Sequence, residues 1–193
     1  MKTLDRPLDE DDRAFADFAD IRDWTAIAGP NNNDSGPKVV RAIVQRVTSA
    51  TDWQPWPLAA GEEIDRAVAS WGFTTKRNST IIVFPGMAFA DAKNSGWCAY
   101  DIEPGDIADA EAGLDAHWPE HLELARKYFG EPTYVGDDSQ PGFLDAWGPG
   151  AGSDKRHLAT WLLPGAHLRL FSTKPASSPL TPAVGVSYAV YIN

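Results

Sequence analysis

Apolar residues recur at helical spacing in the first quarter of the chain. One such stripe follows a run of four acidic residues and predicts a helix over residues 11–28, which Gly29 ends. Its apolar members are Phe15, Phe18 and Ile21. A second stripe after Pro37 predicts a second helix. Its members are Val39, Val40, Ile43, Val44 and Val47.

The pattern then changes from helix to strand. Residues 53–57 contain two tryptophans and two prolines, and this composition predicts a rigid apolar loop. Apolar positions over 62–71 predict a short helix. The apolar runs 80–84 and 97–102 predict two strands, which residues 85–95 connect.

An acidic amphipathic segment over 104–129 predicts a long helix, which Gly130 ends. Pro119 lies inside it and is expected to kink the helix or to split it. The preferred interpretation makes Pro119 the first residue of a helix, because proline suits that position and disfavours helical backbone in the residue before it. Residues 136–155, rich in Gly, Asp and Pro, predict a loop.

Three strands are predicted to close the chain, over residues 157–163, 167–172 and 185–192. The first two flank a Pro-Gly turn and are expected to pair antiparallel. Helices followed by such a meander indicate an α+β fold. We expect an antiparallel sheet of about five strands, with the N-terminal and central helices packed on one face. A length of 193 residues suits one domain, residues 1–193.

The composition indicates a cytoplasmic protein. A single cysteine, Cys98, permits no internal disulfide and fits a reducing compartment. The first residues are polar and lack the apolar region of a signal peptide. No apolar run has the length of a membrane span, so we expect no membrane partner.

Acidic residues are concentrated in one segment. The whole chain has a net charge of −10. Residues 99–145 contain twelve acidic and two basic residues, net −10, whereas the other three segments are −4, +1 and +3 and cancel. Such a surface repels nucleic acid and attracts a basic protein. An ordinary solvated surface is the alternative interpretation.

One motif resembles a metal site. His117, Glu120 and His121 match the H-x-x-E-H pattern of a zinc peptidase class, and a metal-dependent hydrolase is therefore an alternative function. That chemistry needs both histidines on one turn of a continuous helix, which Pro119 opposes. We therefore predict no catalytic residue, no metal ion and no cofactor.

Three of the eight tryptophans are predicted to lie in loops. They are Trp53, Trp56 and Trp147. Aromatic residues in loops are enriched at protein interfaces, so these are candidate anchors for a partner. A small-ligand or scaffold module built on Trp53 and Trp56 is a further alternative function.

Two stretches resemble a known group of proteins. Residues 119–133 form a helix that ends in an aromatic-Gly-Glu-Pro-Thr corner, and residues 160–170 carry a tryptophan, a Pro-Gly turn and a Leu-x-Leu strand. Together they resemble actinobacterial families of small cytosolic proteins, some of them encoded beside secreted toxins. The similarity covers roughly the last 75 residues.

The resemblance implies an immunity protein, which binds a secreted toxin in the producing cell and blocks it. We expect the acidic residues to cover the basic cleft of a nuclease or an NAD-consuming toxin. The candidate partner-binding residues are Asp101, Glu103, Asp106, Asp109, Glu111, Asp115, Glu120, Asp137, Asp138, Asp145, Trp147, Trp53 and Trp56.

Overall fold

The protein is described here from a computed structural model. The structure describes residues 1–29, 37–57, 71–84, 88–91, 97–148, 154–174 and 183–192. The chain divides into two compact units. The first unit comprises Met1–Asp11, Asn94–Trp161 and Arg169–Tyr188, and the second comprises Asp12–Lys93, Leu162–Leu168 and Ala189–Asn193. The single-domain organisation stays a prediction.

Five α-helices lie in the described residues. They are α1 (Leu8–Asp20), α2 (Thr25–Ala28), α3 (Pro37–Ala50), α4 (Ile107–Phe129) and α5 (Phe143–Trp147). A 3-10 turn, Pro104–Asp106, precedes α4. No helix in this part of the chain is long and apolar enough to span a lipid bilayer.

Ten strands lie in the same described ranges. They are β1 (Lys2–Asp5), β2 (Gln54–Pro57), β3 (Trp71–Thr74), β4 (Thr80–Phe84), β5 (Ala88–Asp91), β6 (Trp97–Tyr100), β7 (Tyr134–Asp137), β8 (Lys155–Leu163), β9 (Ala166–Thr173) and β10 (Ala183–Ile192). The fold is α+β with antiparallel strand pairs, which confirms the expected fold class.

The first unit is built around an antiparallel sheet. Its six strands follow the order β1-β6-β10-β9-β8-β7, close to the predicted five. Helix α4 packs on one face, where Trp118 stacks on His157 with 4.8 Å between ring centroids. Trp97 also fits against α4, because Gly113 has no side chain where its ring lies. The short α5 touches the opposite face through Trp147 and Phe171.

The second unit pairs β2, β3, β4, β5 and the end of β10 in that order. Its core is aromatic: Trp24 packs edge-on against Phe89 at 5.3 Å, and Trp53 against Phe73 at 5.7 Å. The apolar stripe of α3 is buried as the sequence predicts. Arg46 donates to the carbonyl oxygen of Ala28 at 2.7 Å and so joins α3 to α2.

Helix α4 runs through Pro119 without interruption. The prediction that a helix begins at Pro119 is therefore wrong. A buried stripe on both sides of the proline stabilises the continuous helix. It consists of Ala110, Leu114, Trp118, His121, Leu122 and Ala125. Burial of this stripe outweighs the loss of one backbone hydrogen bond, which costs about 3 kcal/mol with the ring clash.

Several predicted boundaries differ from the structure. The helix predicted over 11–28 begins earlier and divides into α1 and α2, with four non-helical residues, 21–24, between them. The loop predicted over 53–57 contains β2, and the loop predicted over 136–155 contains the end of β7 and all of α5. Strands β1, β3 and β5 have no counterpart among the predicted elements. Most of the helix predicted over 62–71 lies outside the described residues, and Trp71 begins β3.

Candidate functional site

The acidic segment forms a continuous stretch of accessible carboxylates in the first unit. Residues 101–123 contain eight Asp and Glu and no Lys or Arg. Each of the eight is exposed or half-buried. The five that lie in α4 are not part of its buried stripe. We call the accessible carboxylates of residues 101–123 the acidic surface.

The N-terminal part of the acidic surface lies beside β1. Lys2 pairs with Asp101 at 2.7 Å, and the Met1 amino group with Asp106 at 2.7 Å. The hydrogen bond from that amino group lowers the pKa of the Asp106 carboxyl. Glu103 and Asp109 are exposed and form no ion pair with any residue that the structure describes. They are therefore open to a partner's cations.

The central part of the acidic surface meets an arginine from β8. Arg156 donates from Nε and Nη2 to the two oxygens of Asp115 at 3.0 and 2.5 Å, and from Nη1 to Asp138 at 2.9 Å. This hydrogen bonding lowers the pKa of Asp115 and raises that of Arg156. Glu111, one turn before Asp115, adds to the negative potential at the guanidinium.

His157 connects Asp115 to the sheet. Its Nε2 lies 3.3 Å from Asp115, and its Nδ1 lies 2.8 Å from the Ser172 hydroxyl. Burial against Trp118 lowers the pKa of His157, and the carboxylate of Asp115 opposes that shift in part. Ser172 is fully buried, so it is not accessible to a substrate as a nucleophile.

The loop after β7 holds the other predicted acids. Asp137 accepts from the amide and the hydroxyl of Ser139 at 2.9 and 2.5 Å, and these bonds lower its pKa. Asp138 accepts from Lys174 as well as Arg156. Asp145 is exposed and forms no ion pair with a described residue. Arg156 thus brings Asp138 to Asp115, while Asp145 lies in α5 and takes no part in this cluster.

The three tryptophans proposed as anchors differ in position. Trp53 is 3% exposed and packs against Phe73, so the prediction that it is available to a partner is wrong. Trp56 is half-buried in β2 of the second unit, with its ring over Gly72. Trp147 is half-buried at the end of α5, where Lys155 lies 5.2 Å over its ring.

The H-x-x-E-H residues do not converge. His117 and Glu120 bond to each other at 2.6 Å on the surface, whereas His121 is buried with Nδ1 3.4 Å from Asp11. No group of three or more His, Cys, Asp or Glu side chains is placed to hold a metal ion in the described ranges. This geometry provides no support for the hydrolase alternative.

Arg156 and Lys174 organise the acids but were not candidates at the sequence level. Both lie in the basic C-terminal segment, and Arg156 is 41 residues from Asp115 in the sequence. A net charge of +3 over residues 146–193, opposite in sign to 99–145, was the one signal that could have suggested such pairing.

No protein-family model, no curated protein and no solved structure matches this chain.

Proposed function

We propose that this protein binds a basic protein through the acidic surface, and that the partner is a toxin which this binding neutralises. The observation that carries the proposal is the charge of residues 101–123. Eight accessible carboxylates lie there without a Lys or Arg of their own segment. The resemblance described above supports the toxin as the partner.

The internal ion pairs leave much of this charge available. Asp101, Asp106, Asp115 and Glu123 form ion pairs with cations, whereas Glu103 and Asp109 form no ion pair among the described residues. Exposed acids of one sign create a field that speeds association with a basic surface, by about tenfold to a thousandfold. Because toxins that act on nucleic acids or nucleotides carry basic clefts, occlusion of such a cleft is the proposed mechanism.

Charge reversal on the outer side of α4 tests this proposal. Asp109→Lys with Glu120→Lys changes the net charge by +4, as does the control pair Asp5→Lys with Asp52→Lys, also exposed acids. The partner is first recovered from the native host with the wild-type protein as bait. We expect the α4 pair to weaken its binding at least about tenfold and the control pair to change it little.

A second measurement tests neutralisation. The recovered partner is expressed in a test bacterium with and without this protein. We expect growth arrest without it, rescue by the wild type and the control pair, and no rescue by the α4 pair. A partner that is harmless, or that binds both variants equally well, contradicts the proposal.

A further inference from the structure

Strand β1 is an open edge of the sheet in the first unit. Among the described residues its one strand partner is β6, and all four of its residues are exposed. We propose that an extended, basic segment of the protein partner pairs with β1 as a further strand of this sheet. The inference rests on the proposed function, because it names one contact of that complex.

The backbone of β1 offers hydrogen-bonding groups that the protein itself does not use. In an antiparallel pair every second residue directs its N–H and C=O away from the partner strand. Within the described part of the chain, no backbone hydrogen bond other than those to β6 involves residues 2–5. An accessible row of such groups is what the addition of a strand from another protein requires.

The edge strand of the second unit is different. Two of the four residues in β2 are prolines, Pro55 and Pro57, which have no amide to donate. β1 contains no proline, so each of its residues keeps its amide. Of these two edges, β1 is therefore the one that suits strand addition.

The charge beside β1 favours a basic segment over other extended chains. Residues 101–109, which follow β6, contain four acids and no Lys or Arg. The cations that they bind among the described residues are Lys2 and the Met1 amino group, which leaves a net charge of −2. The hydrogen bond to Asp106 and the charges of the nearby acids raise the pKa of that amino group. A second copy of this chain brings the same acids and is repelled, whereas a basic segment is attracted.

The two faces of β1 favour different side chains in the added strand. Leu4 pairs with Cys98 and therefore shares a face with Tyr100, two residues further along β6. These apolar side chains are 55% and 40% exposed, and they lie away from α4, because Trp97 in the alternate position fits against α4. Apolar residues of the added strand can cover them, while its alternate residues face the side of α4 and its acids. A segment that alternates basic and apolar residues fits both faces.

Matched peptides test the pairing on the full chain. The probe is a blocked hexapeptide of three Lys-Val repeats, and one control has three Glu-Val repeats. A second control is the basic peptide N-methylated at two adjacent central amides, which blocks both of its edges. We expect saturable NMR shifts of the backbone amides of residues 2–5 with the probe, and binding at least about fivefold weaker with either control.

Charge variants test the selection of a basic segment. Glu103 is exposed and forms no side-chain cap, so Glu103→Lys should leave the fold intact and weaken binding of the basic peptide at least about fivefold. Asp52→Lys is the matched control and should change this binding little. Asp5→Lys should also have a small effect, because backbone pairing does not use that side chain. Asp5 also lies about 10 Å from Lys2, beyond the screening length at physiological salt.

Other outcomes overturn the inference. Equal binding of the N-methylated peptide means that the backbone of β1 does not pair with it. Equal binding of the acidic peptide means that charge plays no part. Shifts of residues 2–5 that depend on protein concentration without any peptide mean that a second copy occupies the edge. Absence of any response at residues 2–5 also refutes it.

The complex with the recovered partner separates the two proposals. We expect hydrogen exchange of alternate amides in residues 2–5 to slow at least about tenfold when the partner binds. If it does not slow, while the Asp109→Lys and Glu120→Lys pair abolishes partner binding, the proposed function stands without this contact. If the basic peptide pairs with β1 but neither that pair nor Glu103→Lys affects the partner, the proposed function is wrong.

Discussion

At the scale of single residues, neighbouring tryptophans occupy different environments. Trp53 and Trp56 lie three residues apart, and one is enclosed by Phe18 and Phe73 while the other covers Gly72 at the surface of β2. Proline on either side of Trp56 suggests a loop, but it also suits an edge strand, where an amide need not be paired on one side. The binding-module alternative therefore loses Trp53 as an anchor.

Truncation of the two rings should separate these environments. Trp53→Ala removes a nearly fully buried ring, and we expect a loss of about 3–5 kcal/mol in the free energy of unfolding. Trp56→Ala is the matched control, with an expected loss of less than about 2 kcal/mol because its ring is half-exposed. Urea denaturation followed by circular dichroism measures both. Equal losses would contradict the burial described for Trp53.

At the scale of elements, α4 decides where the carboxylates lie. Its 23 residues place six side chains on the buried stripe and leave the acids on the remaining surface. Local preference at Pro119 predicts a break, and packing of the stripe on both sides of the proline overrides it. The continuity of α4 keeps Asp109 and Glu120 on one rigid element.

Replacement of Pro119 tests this continuity. In an unbroken helix, Pro119→Ala restores an amide that can donate to the carbonyl of Asp115 and removes the ring clash. We expect the free energy of unfolding to rise by about 1–3 kcal/mol, as measured by thermal and urea denaturation.

A helix that begins at Pro119 predicts the opposite result. Proline is favoured at the first helical position, so alanine there brings no gain and a more flexible unfolded chain. Unchanged or reduced stability of Pro119→Ala would therefore contradict the structure. Ala116→Gly, on the exposed side of the same helix, is a control that should destabilise by about 1 kcal/mol.

At the scale of the whole molecule, stability depends on pH through groups whose pKa differs between the folded and the unfolded chain. The pKa of His157 in the folded protein lies below its usual 6.5, because burial disfavours the imidazolium. The unfolded chain therefore binds more protons between the folded pKa and about 6.5. The contribution of neutral His157 to the free energy of unfolding is therefore fully present above pH 6.5, and it is lost as the pH falls toward the pKa of the folded state. Asp115, whose pKa is lowered, loses its contribution only at more acidic pH, below 3.8.

We expect stability to fall between pH 7.5 and 5.5, with His157 as one cause. The NMR titration of its ring proton should show a midpoint below 6.5. Urea denaturation at both pH values should show a smaller decrease for His157→Gln than for the wild type, whatever the absolute stability of the variant. A midpoint at or above 6.5, or equal decreases, would contradict the burial effect.

The sequence by itself determined the fold class, helix α3, the end of α4 at Gly130 and the last three strands. Each depends on a periodicity within one segment, and the apolar side of a helix or strand can be identified without knowing what covers it. It also determined that the negative charge is concentrated in residues 99–145, since charge is a property of composition.

Only the tertiary structure decided which carboxylates are neutralised and which tryptophans are buried. Asp115, Asp138 and Arg156 meet although up to 41 residues separate them. Strands β1 and β7 are four residues long and pair with distant segments, so they have no strong local signal. Both features arise from contacts between residues far apart in the chain, which periodicity within one segment does not encode.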